Sequence, residues 1–102
     1  SLPSAFTAPT GRAHWEVLMR ARAIENGCFV LAPAQSGEHA VSDGGRARLT
    51  WGHSMAIAPW GEVLADAGDP VGVCLVDLDL AAVEEARRRV PSIAHGRDYS
   101  AP

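Results

Sequence analysis

One segment of this chain, Thr10 to Asn26, can be bounded as a helix at both ends from residue order alone, and it constrains everything around it. Pro9 disfavours helix in the residue before it, the Thr10 hydroxyl is suited to accept from a free first-turn amide, and Gly27 supplies a stop. The apolar residues Trp15, Val17, Leu18, Met19, Ala21, Ala23 and Ile24, placed about 100° apart, do not keep to one stripe. The helix is therefore expected to be buried on two sides. One side would lie on a sheet and the other, eased by the small Ala13, Ala21 and Ala23, against a second helix or subunit. Glu16 with Arg20 and Arg22 with Glu25 are spaced to pair along it.

The remaining segments read as strands, turns and a tail. Ser1 to Pro9 is a loop of small residues and proline with Phe6 as its one large apolar side chain. Cys28 to Ala32 follows the Gly27 stop as a short apolar strand expected to be buried on both faces. Gln35 to Thr50 is an excursion without readable period, turning at Ser42-Asp43-Gly44-Gly45. His53 to Ala58, Pro59-Trp60-Gly61 and Glu62 to Ala67 form a hairpin. Val71 to Leu78 is a further apolar strand, and Asp79 to Val90 a helix with Asp79 as N-cap, acids early, arginines late and Pro91 at its end. Residues 91–102 are expected to be an extended tail. Helix followed at once by strand points to a layered α/β unit with two main helices and about four strands.

Charge excludes some classes of function. The net charge is -3, and Arg87-Arg88-Arg89 is the one basic cluster, placed where cations suit a helix C-terminus and ion pairs. No nucleic-acid surface is expected from it, because phosphate contacts need cations clustered on a face. No apolar run is long enough to span a bilayer, no signal-peptide pattern opens the chain, and the expected compartment is the cytoplasm. Cys28 and Cys74 sit in apolar runs without Cys-x-x-Cys spacing and are expected to be reduced, buried thiols. All 9 basic residues are arginine. Chemistry that needs a lysine amine cannot be completed by these residues alone.

Candidate chemistry is sparse. Gly52-His53-Ser54-Met55-Ala56 nearly matches a nucleophile elbow, but a hairpin strand follows Ser54 where that motif requires a helix. His14, His39, His53 and His95 lack metal-ligand spacing, so neither a metal nor a cofactor is expected. His14 stands out by its place in the first turns of the long helix, beside Trp15 and soon after Phe6. Glu16 and Glu25 have arginines in helical register and read as ion-pair partners rather than catalytic carboxylates.

Several strings then follow one another in order: Pro3-Ser4-Ala5-Phe6-Thr7, Thr10-Gly11, His14-Trp15-Glu16, Arg20-Ala21-Arg22-Ala23-Ile24-Glu25-Asn26, Gly52-His53-Ser54-Met55 and Pro59-Trp60-Gly61-Glu62-Val63. Together they resemble the C-terminal part of the carbon-nitrogen hydrolase, or nitrilase, superfamily, nearest its Nit-like amidases, from about Leu2 to the Pro91 region. The resemblance implies a four-layer αββα sandwich built by a longer chain, of which residues 1–102 would be the C-terminal portion without the N-terminal catalytic portion. It implies association into a homodimer or higher homo-oligomer through the long helix, with Trp15, Leu18 and Arg22 as interface candidates. It also implies hydrolysis of small amides or nitriles by a Glu-Lys-Cys triad upstream of residue 1, cysteine as nucleophile, glutamate as base and lysine at the oxyanion. On that resemblance Phe6, Thr7, Thr10 and His14 are the substrate-pocket candidates. These residues by themselves are expected to be inactive, with the remaining N-terminal part of the hydrolase as their partner. Two other functions stay open: a noncatalytic, partner-binding scaffold marked by exposed apolar surface, and a small serine hydrolase using Ser54.

Overall fold

The structure, a computed structural model, describes residues 1–40, 45 and 47–99. Its elements are α1 (Ala8–Asn26), β1 (Val30–Ala32), β2 (Ser36–His39), β3 (Arg48–Trp51), β4 (Met55–Ile57), β5 (Val63–Asp66) and α2 (Ala81–Arg89), an α/β arrangement as the sequence predicts. β1, β4 and β5 form an antiparallel sheet in the order β1-β4-β5, with Val30 opposite Ile57, Ala32 opposite Met55 and Ala56 opposite Ala65. β2 and β3 form a separate two-stranded ribbon.

Helix α1 begins before Thr10. Thr7 is its N-cap residue in extended conformation, and Pro9 sits in the first turn, where a missing N–H removes nothing the helix would have used. The Thr10 hydroxyl donates back to the Thr7 carbonyl at 3.1 Å instead of capping an amide. At the other end Gly27 adopts the left-handed conformation expected of a stop, φ 53°. The amides of Gly27 and Cys28 close onto the carbonyls of Ile24 and Ala23.

The buried face of α1 is a single stripe, Gly11, Trp15, Met19 and Ala23, four residues apart at each step. It lies on Val30, Ala32, Met55 and Ile57 to make the core. The second covered side expected from the sequence is not provided by the described residues: Val17, Leu18 and Ile24 are exposed. The predicted ion pairs form, Glu16 with Arg20 at 3.3 Å and Arg22 with Glu25 at 2.7 Å. Arg20 also donates from Nε to the Gly61 carbonyl at 2.8 Å, which ties the Pro59-Trp60-Gly61 turn to the helix.

Several sequence expectations need correction. β1 is covered on one face only, with Leu31 turned outward. The Gln35–Thr50 excursion contains the β2-β3 ribbon, a structure its irregular pattern concealed; its expected turn lies largely outside the described residues. Residues 71–78 form no strand, and Val71, Val73 and Leu75 stand almost wholly in solvent. Strand propensity expresses packing on a pleated, half-buried surface, and no described strand pairs with this stretch. Cys74 is accordingly exposed and Cys28 half-buried, so neither is the fully buried thiol expected. The tail is not wholly extended, because Ile93–His95 make a 3-10 turn.

α2 is shorter than the expected Asp79–Val90 and its N-cap is Leu80, not Asp79, which lies one residue earlier and whose carboxylate accepts from the Ala81 amide at 3.0 Å. Glu85 pairs with both Arg88 and Arg89, and the Arg89 guanidinium lies 5.3 Å from the centre of the Trp60 ring. Ser92 donates to the Glu25 carbonyl at 2.7 Å, joining the end of α2 to the end of α1. Among the described residues no helix is long and apolar enough to cross a membrane.

Gly11 is where α1 comes closest to the ribbon. A Cβ at Gly11 would overlap Cβ and Cγ of Trp51. Gly11→Ala is therefore expected to destabilise the protein by about 1–3 kcal/mol through overpacking, even though alanine favours an isolated helix by about 1 kcal/mol. Thermal unfolding monitored by circular dichroism checks this, and an unchanged or raised midpoint would show that the helix does not rest on Trp51.

Candidate functional site

The N-terminal segment is drawn into the fold by proline spacing and backbone pairing. Pro3 and Pro33 lack amide donors, so the amides that join the segment to the chain beyond β1 come from their neighbours. Leu2 donates to Leu31, Ser4 donates to Pro33, and Gln35 donates back to Ser4, each at 3.0 Å. Trp51 donates to the Phe6 carbonyl at 3.0 Å and Thr7 bridges Thr50, so the same segment also borders β3. Along the paired segments Pro3–Ala5 and Pro33–Gln35 lies an open groove of about 470 Å³, with Ser54 in its lining. Ser4 and Gln35 are the residues of its lining, besides Ser54, that carry a polar side chain.

Ser54 is held on both of its capacities. Its hydroxyl accepts from the Ala34 amide at 2.9 Å and donates to the Ala34 carbonyl at 3.3 Å. No bond joins it to His53, whose ring turns elsewhere. His53 Nδ1 lies 3.0 and 3.1 Å from the two Asp66 oxygens, and since an ionised carboxylate only accepts, the proton sits on Nδ1. The imidazole stacks on Trp51 with ring centres 4.5 Å apart, and Arg12 lies 5.5 Å from the centre of the Trp51 ring. His53 has φ 58°, the one positive value outside glycine among the described residues. Its carbonyl is thereby turned to accept from Trp15 Nε1 at 2.7 Å.

The sequence-selected pocket residues do not converge on this groove. Phe6 packs on Trp15 with ring centres 5.2 Å apart and contributes to the core. Thr7 and Thr10 share a hydroxyl contact of 2.8 Å at the start of α1, and His14 is exposed on the helix. Of the interface candidates, Leu18 and Arg22 are on the outer surface, whereas Trp15 is 1% exposed and belongs to the core of its own chain. Burial of the indole leaves it nothing to present to another subunit. Ser4, Ala34 and Gln35 were not singled out from the sequence. Nothing local in the sequence marks them, because the pairing that joins Ser4 to Ala34 links segments thirty residues apart. Among the described residues no group of three or more His, Cys, Asp or Glu side chains is placed to hold a metal.

The Ser54 proton lies on the Ala34 carbonyl, and no His, Asp or Glu side chain among the described residues is bonded to the hydroxyl as a base. A fluorophosphonate probe is accordingly expected to leave the folded protein unlabelled at Ser54, as read by peptide mass spectrometry. Stoichiometric modification of Ser54 would reinstate the serine-hydrolase reading.

Comparison with known proteins places these features in a wider group. Residues 3–88 match the carbon-nitrogen hydrolase family. A deaminated glutathione amidase of Synechocystis is 47% identical over 94 residues, covering 92% of this chain and 33% of that protein. The crystal structure of the Caenorhabditis elegans NitFhit protein superposes with a TM-score of 0.79 at 45% identity, over 92% of this chain and 22% of that one. A carbon-nitrogen hydrolase from Helicobacter pylori superposes with a TM-score of 0.81 at 26% identity, over 93% of this chain and 36% of that one. The chain spans about a third of the length of the curated relatives it matches.

Proposed function

Because the chain belongs to the carbon-nitrogen hydrolase family, we propose that it forms the C-terminal portion of an amidase domain that cleaves the C–N bond of small amides through a Glu-Lys-Cys triad lying outside these 102 residues. The observation that carries this reading is the 47% identity to a deaminated glutathione amidase across 92% of the chain. The absence of lysine from the sequence supports placing the triad elsewhere. In such a reaction glutamate takes the thiol proton as the cysteine sulfur attacks the carbonyl carbon, lysine stabilises the oxyanion, the proton goes to the leaving nitrogen as the C–N bond breaks, and water then hydrolyses the thioester to release the acid and restore the thiol. The part of this chain is to brace the sheet and to lend the Ser4–Gln35 groove as a wall for the amide. Phe6, Thr7 and Thr10 then act behind that wall, fixing the loop to α1, with His14 at the helix start.

Two kinds of contact follow from this reading. The remaining hydrolase polypeptide covers the apolar row Val71, Val73 and Leu75, and a second copy packs on the outer face of α1 through Leu18 and Arg22. The same exposed row favours a second reading, a noncatalytic scaffold whose partner covers it. Turnover separates the two. The purified natural protein is expected to hydrolyse deaminated glutathione, and iodoacetamide is expected to abolish that activity. A folded protein that turns over neither this compound nor simple aliphatic amides would overturn the hydrolase reading in favour of the scaffold. For the helix contact, Leu18→Asp is expected to lower the molar mass read by light scattering to that of a smaller assembly, and an unchanged mass would remove α1 from the interface.

A further inference from the structure

The end of α1 carries an Asn-Gly pair, Asn26-Gly27, and such a pair has a reaction of its own. Glycine has no Cβ to obstruct its amide, so the Gly27 nitrogen, once it gives its proton to solvent base, can attack Cγ of the Asn26 carboxamide. The C–N bond to Nδ2 then breaks, ammonia leaves, and water opens the resulting succinimide to aspartate or isoaspartate. The folded chain holds this reaction shut. Ring closure needs Cβ of Asn26 and N of Gly27 nearly eclipsed about the Cα–C bond, and helical ψ, about −42°, keeps them well apart. Asn26 is the last residue of α1. Its carboxamide is turned back along the helix, Nδ2 donating to the Arg22 carbonyl at 2.9 Å. The attacking nitrogen is engaged as well, because Gly27 is buried and its amide donates to the Ile24 carbonyl at 3.3 Å.

The contacts that keep this last turn closed come from two places in the chain. Within α1, Arg22 pairs with Glu25 at 2.7 Å, but both side chains are about half exposed, where an ion pair contributes little. The other contacts come from the α2 region. Ser92 donates at 2.7 Å to the Glu25 carbonyl, which belongs to the peptide group joining Glu25 to Asn26 and resists its swing out of the helix. The Arg87 side chain lies over Gly27 so closely that a Cβ there would come within 2.9 Å of its Cγ. Asn26 itself is exposed, so the docked α2 region is what covers the reacting pair.

We propose that Asn26-Gly27 is a latent deamidation site gated by the docking of α2: it reacts when the Ser92 and Arg87 contacts open, and its products keep the joint from closing again. Aspartate at position 26 adds an anion beside Glu25 at the negative end of α1. Isoaspartate lengthens the backbone at the stop from which the chain enters β1. The proposal stands apart from the hydrolase reading, since no step in it uses the triad.

Peptide mass spectrometry of the purified natural protein, held in mildly alkaline buffer, tests it by reading the mass gained when the amide nitrogen is exchanged for oxygen. Deamidation at Asn26 is expected to be roughly tenfold or more slower in the folded protein than in urea, because only the open fraction reacts. Ser92→Ala is expected to speed the folded reaction about fivefold, the effect of one lost hydrogen bond, and to leave the rate in urea unchanged. Arg87→Ala is expected to act in the same direction. The isoaspartyl form, separated by ion exchange, is expected to melt at a lower temperature than the parent. Equal rates in the folded and unfolded chain overturn the gate, as does a Ser92→Ala rate equal to the parent's or raised only as far as a lowered global stability accounts for. An Asn26 that stays intact in urea overturns the site itself, and an isoaspartyl form that melts with the parent overturns the claim that the joint cannot close again.

Discussion

The arrangement depends on how one buried indole N–H is satisfied. Trp15 is almost wholly enclosed, and an indole donor in that position needs an acceptor that regular secondary structure does not leave free. The carbonyl of His53 is available because the left-handed turn at Gly52-His53 takes it out of the sheet. The two unusual features therefore account for each other. The strained residue gives the indole its acceptor, and the indole, with Asp66 and Trp51, offsets the strain. Phe6 leans on the same ring, so the N-terminal segment, α1 and the β3-β4 junction are all referred to one side chain.

What this core leaves uncovered is as well defined as what it buries. The radius of gyration is 16.9 Å, against about 13 Å for a compact domain of about this length. The molecule is a slab with a short axis of 19 Å, one helical layer on one sheet. Leu31 on the outer side of β1 and Cys74, Leu75, Val76 and Leu78 line an apolar cavity of about 510 Å³ that also reaches Ala56 and Ala65. Burying such a surface is worth roughly 25 cal/mol per Å². A structure that leaves it open while closing the Trp15 side is polarised, stable on one face and short of cover on the other.

Those asymmetries explain which features were legible in the sequence. The helix stop at Gly27, the ion pairs of α1 and the hairpin around Pro59-Trp60-Gly61 are local, set by residues near one another in the chain, and the structure contains each of them. The start of α1 differs from the sequence expectation because proline fits the first turn of a helix as readily as it precedes one. The Val71–Leu78 strand failed for a different reason: its composition reports a need for burial, and the surface that would meet the need is not among the described strands. The groove was illegible because nothing local marks Ser4, Ala34 and Gln35; segments far apart in sequence bring them together. Of the motif residues, Phe6 and Trp15 pack on one another in the core, Thr7 and Thr10 meet at the start of α1, and His14 is exposed.

The Gly52-His53-Ser54 string shows why a motif has to be judged by what its atoms face. In sequence it suggests an exposed, activated serine. In the fold the strained turn is present, but on the histidine rather than the serine, and the hydroxyl closes a gap in a β ladder. An activated serine needs a base at its proton and an open approach to an electrophile. Ser54 has its proton on one backbone carbonyl and its lone pair on the amide of the same residue. Freeing the hydroxyl for attack would strand both groups of Ala34, half-buried beside the groove. The proton that a base would have to take is already on a backbone carbonyl, and no base is bonded to the hydroxyl among the described residues. Ser54 is a strut in this fold, because what its atoms face is the backbone of Ala34.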